Sequence, residues 1–250
     1  MLQTTTAEAD TRRRVVQVDT QEYLLREYVG AAPKRGIYVE GNEANGNDLP
    51  QGFLVAQPPG SITRPHFHET NQFQVFVDGD GMFGKKVAAP LTVQYANGST
   101  PYGPIKAGGN GVMYFTLRQN WDAGAKYMPE MRARLVRGNQ RQRLVPVGDL
   151  LAADTLTAIE QPYAMELIAA EADGLQALLW CLGRHQHVAL EDARHGGGQY
   201  HVVVNGEMHG IDDAMLDRWS CQYAFPDDGS VQIRAAASGC QLLVLRFPAA

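Results

Sequence analysis

Two stretches of this chain repeat at nearly one interval, and the repeat limits what it can fold into. Asn71-Gln72-Phe73-Gln74-Val75-Phe76-Val77-Asp78-Gly79-Asp80 matches Gly198-Gln199-Tyr200-His201-Val202-Val203-Val204-Asn205-Gly206-Glu207 at an offset of 127. Further on, Ile105-Lys106-Ala107, Gly111 and Leu117-Arg118 match Ile233-Arg234-Ala235, Gly239 and Leu245-Arg246 at an offset of 128. Two matches at almost the same offset mark a duplicated unit. In each copy about 25 residues rich in turn formers separate the matched pieces, as successive short strands require.

The rest of the first copy reads the same way. Residues 52–117 give short strands broken by Pro58-Pro59-Gly60, Asp78-Gly79, Asn97-Gly98 and Gly108-Gly109-Asn110-Gly111. Many short strands with Gly/Pro turns favour an all-β barrel or jelly roll. The expected organisation is an N-terminal arm over residues 1–40, a first barrel over 41–118, a connector over 119–160 and a second barrel over 161–250. Within the arm, Tyr23 to Val29 reads as a short helix or a packing segment. The connector carries Arg132, Arg134, Arg137, Arg141 and Arg143, a run that reads as a solvated face or a strand facing carboxylates such as Glu130 and Asp149.

Composition removes several classes of function. A net charge of −5 argues against sequence-independent nucleic-acid binding, which needs a basic surface. No apolar run approaches the roughly 18 residues of a membrane span, and residues 1–20 lack a signal-peptide core. Cys181, Cys221 and Cys240 have neither metal-type nor redox-type spacing, so they are expected as reduced core residues of a cytoplasmic protein. No Gly-x-Ser-x-Gly elbow or phosphate loop is present. Gly196-Gly197-Gly198 opens onto a strand and reads as a hairpin turn.

Chemistry concentrates in the first copy, in Gly60-x5-His66-x-His68-x3-Gln72-x6-Gly79. Side chains alternate faces along a strand, so His66 and His68 point the same way with Cα atoms about 6–7 Å apart. Two imidazoles so placed can grip one metal ion, and Gln72 from the next strand can reach the same point. The competing reading is that both rings pack in a barrel and bond backbone or each other.

This spacing resembles the first sequence motif of the cupin superfamily, and the repeat resembles its two-barrel members, those related to the quercetin-dioxygenase type. The resemblance covers roughly residues 50–118 and 160–248. It implies two tandem cupin barrels, each a double-stranded β-helix or jelly roll. It also implies a divalent transition metal, Fe(II) first and Mn, Ni or Zn next, held by His66 and His68. Two departures stand out. Gln72 replaces the usual Glu, and Gly111 occupies the position of the second-motif His. Gln94 is the best substitute ligand from a neighbouring strand. Glu69 and Tyr114 are the candidate proton donors or acceptors, and Tyr95 and Tyr102 are further candidates for the pocket wall.

The second copy lacks such a pair, since the counterparts of His66 and His68 are Ala193 and His195. His185, His187, His201 and His209 are its other histidines, and the expectation is a degenerate, structural second barrel. Two functions from different classes follow. One is a metal-dependent enzyme, dioxygenase-like, acting on an aromatic or enolic compound. The other is a non-catalytic small-molecule-binding barrel that has lost its metal ligands and holds no cofactor. A third is metal-free acid–base chemistry with His66 as base. A two-fold homodimer is expected on general grounds.

Overall fold

The computed structural model describes residues 1–138 and 140–249. It divides into two compact units, Arg12–Pro146 and Met1–Thr11 together with Val147–Ala250. Both are built on antiparallel sheet, as the repeat requires.

In the first unit the strand Gln72–Phe83 lies between Thr92–Ala96 and Ile105–Arg118. The sheet continues from Ile105–Arg118 to Gln51–Gln57 and then to Gln21–Val29 and Arg13–Val18. The second unit repeats this order with Cys221–Ala224, Gln199–His209, Gln232–Arg246, Gln176–Leu182 and Tyr163–Ile168. The duplication therefore extends from sequence to strand order and register. Each unit buries its own apolar core. Phe53, Val55, Phe76, Phe83 and Tyr114 contribute to one, and Leu182, Val203, Met208, Leu242 and Val244 to the other.

Two glycines per unit show why the repeat keeps its turn positions. Gly79 adopts a φ of +81°, and a Cβ there would stand 2.2 Å from the Gly111 carbonyl oxygen. In the second unit Gly206, with φ +69°, approaches the Gly239 oxygen to 2.1 Å on the same construction. The backbones meet closely at a bulge that only glycine permits. Gly111 itself has a φ of +75°, so the position of the missing second-motif His serves the bulge.

Tyr23 to Val29 is strand and not helix; the helix of this region is the short Thr6–Thr11. Arg13–Val18 and Gln21–Val29 form a hairpin that pairs onto Gln51–Gln57. Val16, Val18, Tyr23 and Leu25 are buried at alternate positions on its inner face. The polar residues between them disguised this period-two pattern. Leu2–Thr4 pairs with Cys221–Ala224 and belongs to the second unit.

The connector is likewise partly strand. Lys126–Tyr127 pairs with His66–Phe67, and Gln142–Pro146 with Thr92–Ala96. In its arginine run, Arg134 reaches Glu43, and Arg141 is buried over the Tyr95 ring. Glu130 instead meets Arg64 at 2.7 Å. The three cysteines are free and buried, as expected of core residues. Among the described residues no helix is long and apolar enough to cross a membrane.

Candidate functional site

His66 and His68 face the interior of the first unit together, with ring centroids 5.2 Å apart. Their placement follows from local pairing. The His66 backbone bridges Tyr102 on one side and pairs with Tyr127 on the other. Both imidazoles are almost fully buried and line one cavity of about 60 Å³. Its apolar wall comes from Val16, Val18, Leu25, Phe53 and Val55. Its polar wall comes from the two histidines, Gln74, Tyr102, Tyr114, Thr116 and Arg118.

A chain of hydrogen bonds runs through the polar wall, and its direction fixes the tautomers. His66 donates from Nδ1 to the Arg64 carbonyl at 2.7 Å, which leaves Nε2 to accept from the Tyr102 hydroxyl at 3.0 Å. That hydroxyl accepts in turn from Gln72 Nε2. Gln72 Oε1 accepts from Arg118 Nε at 3.1 Å, and Gln51 Oε1 from Arg118 Nη1 at 2.6 Å. Arg118 Nη2 donates to His68 Nε2 at 2.9 Å, while His68 Nδ1 donates to Asp122 Oδ1 at 2.7 Å. The backbone amides of Glu69 and Gly124 complete the Asp122 carboxylate at 2.9 and 2.8 Å.

The electrostatics agree with that polarity. Burial drives the His66 ring down to about 3, helped by His68 and, less, by Arg118. Burial and the adjacent guanidinium take His68 to about 4. Burial alone would raise Asp122, but His68 and Arg118 together outweigh it and hold the carboxyl well below the usual range. Near neutral pH the site therefore holds two neutral imidazoles, one guanidinium and one carboxylate. Burial also pushes the hydroxyls of Tyr102 and Tyr114 upward.

This donor set does not fit a resident divalent metal. Each imidazole lone pair that faces inward already accepts a hydrogen bond, from Tyr102 or from Arg118. Gln72 turns its oxygen to Arg118 and its nitrogen to Tyr102. Among the described residues no three His, Cys, Asp or Glu side chains gather where an ion could sit.

The other candidates fall into place around this centre. Tyr114 lines the cavity and donates to Gln57 Oε1 at 3.4 Å. Glu69 turns away from the cavity, its carboxylate 3.0 Å from Lys126 Nζ and 42% exposed. An outward Glu69 follows from its position next to the inward His68. Gln94 does not reach the histidines' hydrogen-bond chain. It lies opposite Gln74 across the strand pair, while Ala96 lies opposite Gln72. Tyr95 packs on Phe73 and bonds Asn97, outside the cavity wall.

Arg118 and Asp122 are the members that sequence reasoning missed. Arg118 was visible as a repeat position matching Arg246, and Asp122 as an acid four residues later. In the second unit His185, His187 and His195 are exposed and His209 meets Asp213, so only His201 is buried in that barrel.

No family model and no curated protein matches this sequence. Solved structures do. A candidate dioxygenase of Nostoc punctiforme is 12% identical over 94% of this chain and 78% of its own, with a TM-score of 0.61. An Escherichia coli pirin in complex with nickel(II) is 11% identical over 96% and 97%, at 0.52. An oxalate decarboxylase of Lactobacillus farciminis, in a formate complex, is 9% identical over 99% and 86%, at 0.53. At such identities the likeness is one of fold, and with the duplicated strand order it establishes that this chain carries the cupin fold in two tandem copies.

Proposed function

We propose that the first barrel binds a small organic molecule in its interior cavity, without a metal and without turning it over. The observation that carries this reading is the Arg118 guanidinium seated on His68 Nε2, where a metal reading needs an open lone pair. A cavity with one apolar wall and a few convergent polar groups is the usual form of a ligand site. The structural neighbours include a nickel-bound pirin and a candidate dioxygenase, so the cupin fold is compatible with metal chemistry elsewhere. Fold by itself does not choose among these functions.

Acid–base catalysis by His66 is the weaker alternative. An efficient general base has a pKa near the working pH. Burial holds His66 near 3, and its lone pair is committed to Tyr102. The polar chain instead locks the rings, hydroxyl and carboxamide in one arrangement, which suits recognition.

A library of small hydroxy-, keto- and enol-bearing compounds, screened by ligand-observed NMR against the intact protein, tests this proposal. Binding that is lost when Val55→Trp fills the cavity supports it. Oxygen consumption or product formation that requires an added metal would overturn it.

A further inference from the structure

The hydrogen-bond chain leaves one part of the barrel interior out. Gln74 and Gln94 stand directly opposite each other on adjacent antiparallel strands and so project to the same face. They are 2% and 0% exposed. Gln74 lines the cavity, and its Oε1 has no hydrogen-bond partner; on Gln94 neither Oε1 nor Nε2 has one. Buried carboxamides are rarely left so, because each lost its water on folding. Thr116 lies opposite Gln74 on the other flanking strand and also lines the cavity.

We infer that Gln74, the member of the pair that lines the cavity, is the recognition group for a small uncharged ligand carrying a hydroxyl beside a carbonyl, with Gln94 next to it on the adjacent strand. This rests on the reading of the cavity as a small-molecule site. A carboxamide offers one acceptor and two donors, so it meets an adjacent O–H and C=O in either orientation. The absence of charge follows from the surroundings. Arg118 lies 4.0 Å from Asp122, so the one cation of the polar wall is already balanced. A buried anionic ligand would add charge that nothing in the wall offsets. The size limit follows from the 60 Å³ cavity, which has room for roughly four to six non-hydrogen atoms.

Hydroxyacetone, acetone and acetate separate these requirements, each titrated into the intact protein by ligand-observed NMR. Hydroxyacetone should bind about tenfold more tightly than acetone, the effect of one well-made hydrogen bond, and more tightly than acetate. Gln74→Met should weaken hydroxyacetone severalfold and acetone less, so that the preference for hydroxyacetone narrows, with no fall in melting temperature. The unchanged melting temperature then serves as the check that the variant is folded.

Equal hydroxyacetone affinity in wild type and Gln74→Met would overturn the inference and leave the binding cavity standing. Tighter binding of acetate would overturn the uncharged-ligand requirement. No binding of any probe to wild type would overturn the cavity reading itself, and this inference with it.

Discussion

Arg118 Nη2 lies 2.9 Å from His68 Nε2, and this contact decides the character of the first barrel. The arginine belongs to the repeat. Arg118 stands in register with Gln51 and Gln72, just as Arg246 stands in register with Gln176 and Gln199. The two guanidiniums are used differently. Arg246 bonds the Gly174 carbonyl and Glu191, whereas Arg118 bonds both glutamines of its register and His68. A shared β-sheet position has thus become part of a polar site only where His68 and Asp122 are present to receive it.

That arrangement predicts strong coupling between Arg118 and Asp122. Arg118→Met leaves a buried carboxylate without its cation and should cost about 3–5 kcal/mol of stability. Asp122→Asn should cost less, since the amide keeps one acceptor for His68. The double variant should be more stable than the sum of the two by at least about 1 kcal/mol, measured by urea denaturation. Additive losses would mean that the two charges do not sense each other.

The bulge glycines give a second prediction. Gly79→Ala places a methyl group 2.2 Å from the Gly111 oxygen at a φ of +81°, so about 2 kcal/mol or more of stability should be lost. Gly109→Ala, in the same turn region, meets nothing within 4 Å and should stay within about 0.5 kcal/mol of wild type. Comparable melting temperatures for the two variants would contradict the close approach.

Stability should also fall on mild acidification, and His201 isolates the effect in the second barrel. The ring is fully buried, its Nε2 has no partner, and burial lowers it to about 4. An unfolded histidine titrates near 6.5, so the unfolded chain takes up the proton first. The contribution is complete above about pH 6.5 and shrinks as pH falls toward 4, by roughly 1.4 kcal/mol per pH unit. His201→Leu should remove that part of the slope between pH 6 and 4.5, while exposed His195→Leu should leave it intact. Denaturation curves showing the same slope in both variants would contradict the account.

Much of this was legible in the sequence because period-two patterns and turn residues are local. The repeat, the strands around Gln72–Phe83 and Ile105–Arg118, and the shared face of His66 and His68 all follow from spacing. The hairpin Arg13–Val29 was not, since Arg and Gln residues interrupt its buried positions and its stability comes from pairing with a strand some 30 residues later. Asp122 was hidden for a related reason. Nothing local says that a loop acid returns to a histidine 54 residues before it. Gln72 reads as a weakened metal ligand in sequence; the structure gives it a different task, joining Arg118 to Tyr102.

The most direct test is metal content. Protein purified without a metal-affinity tag is incubated with Fe(II), Mn(II), Ni(II) and Zn(II) in turn, desalted and assayed by elemental analysis beside His66→Ala/His68→Ala. With Arg118 seated on His68, the wild type should retain far less than one ion per chain and match the double variant. About one tightly held ion per chain, lost in the variant, would contradict the central claim and return the first barrel to metal chemistry.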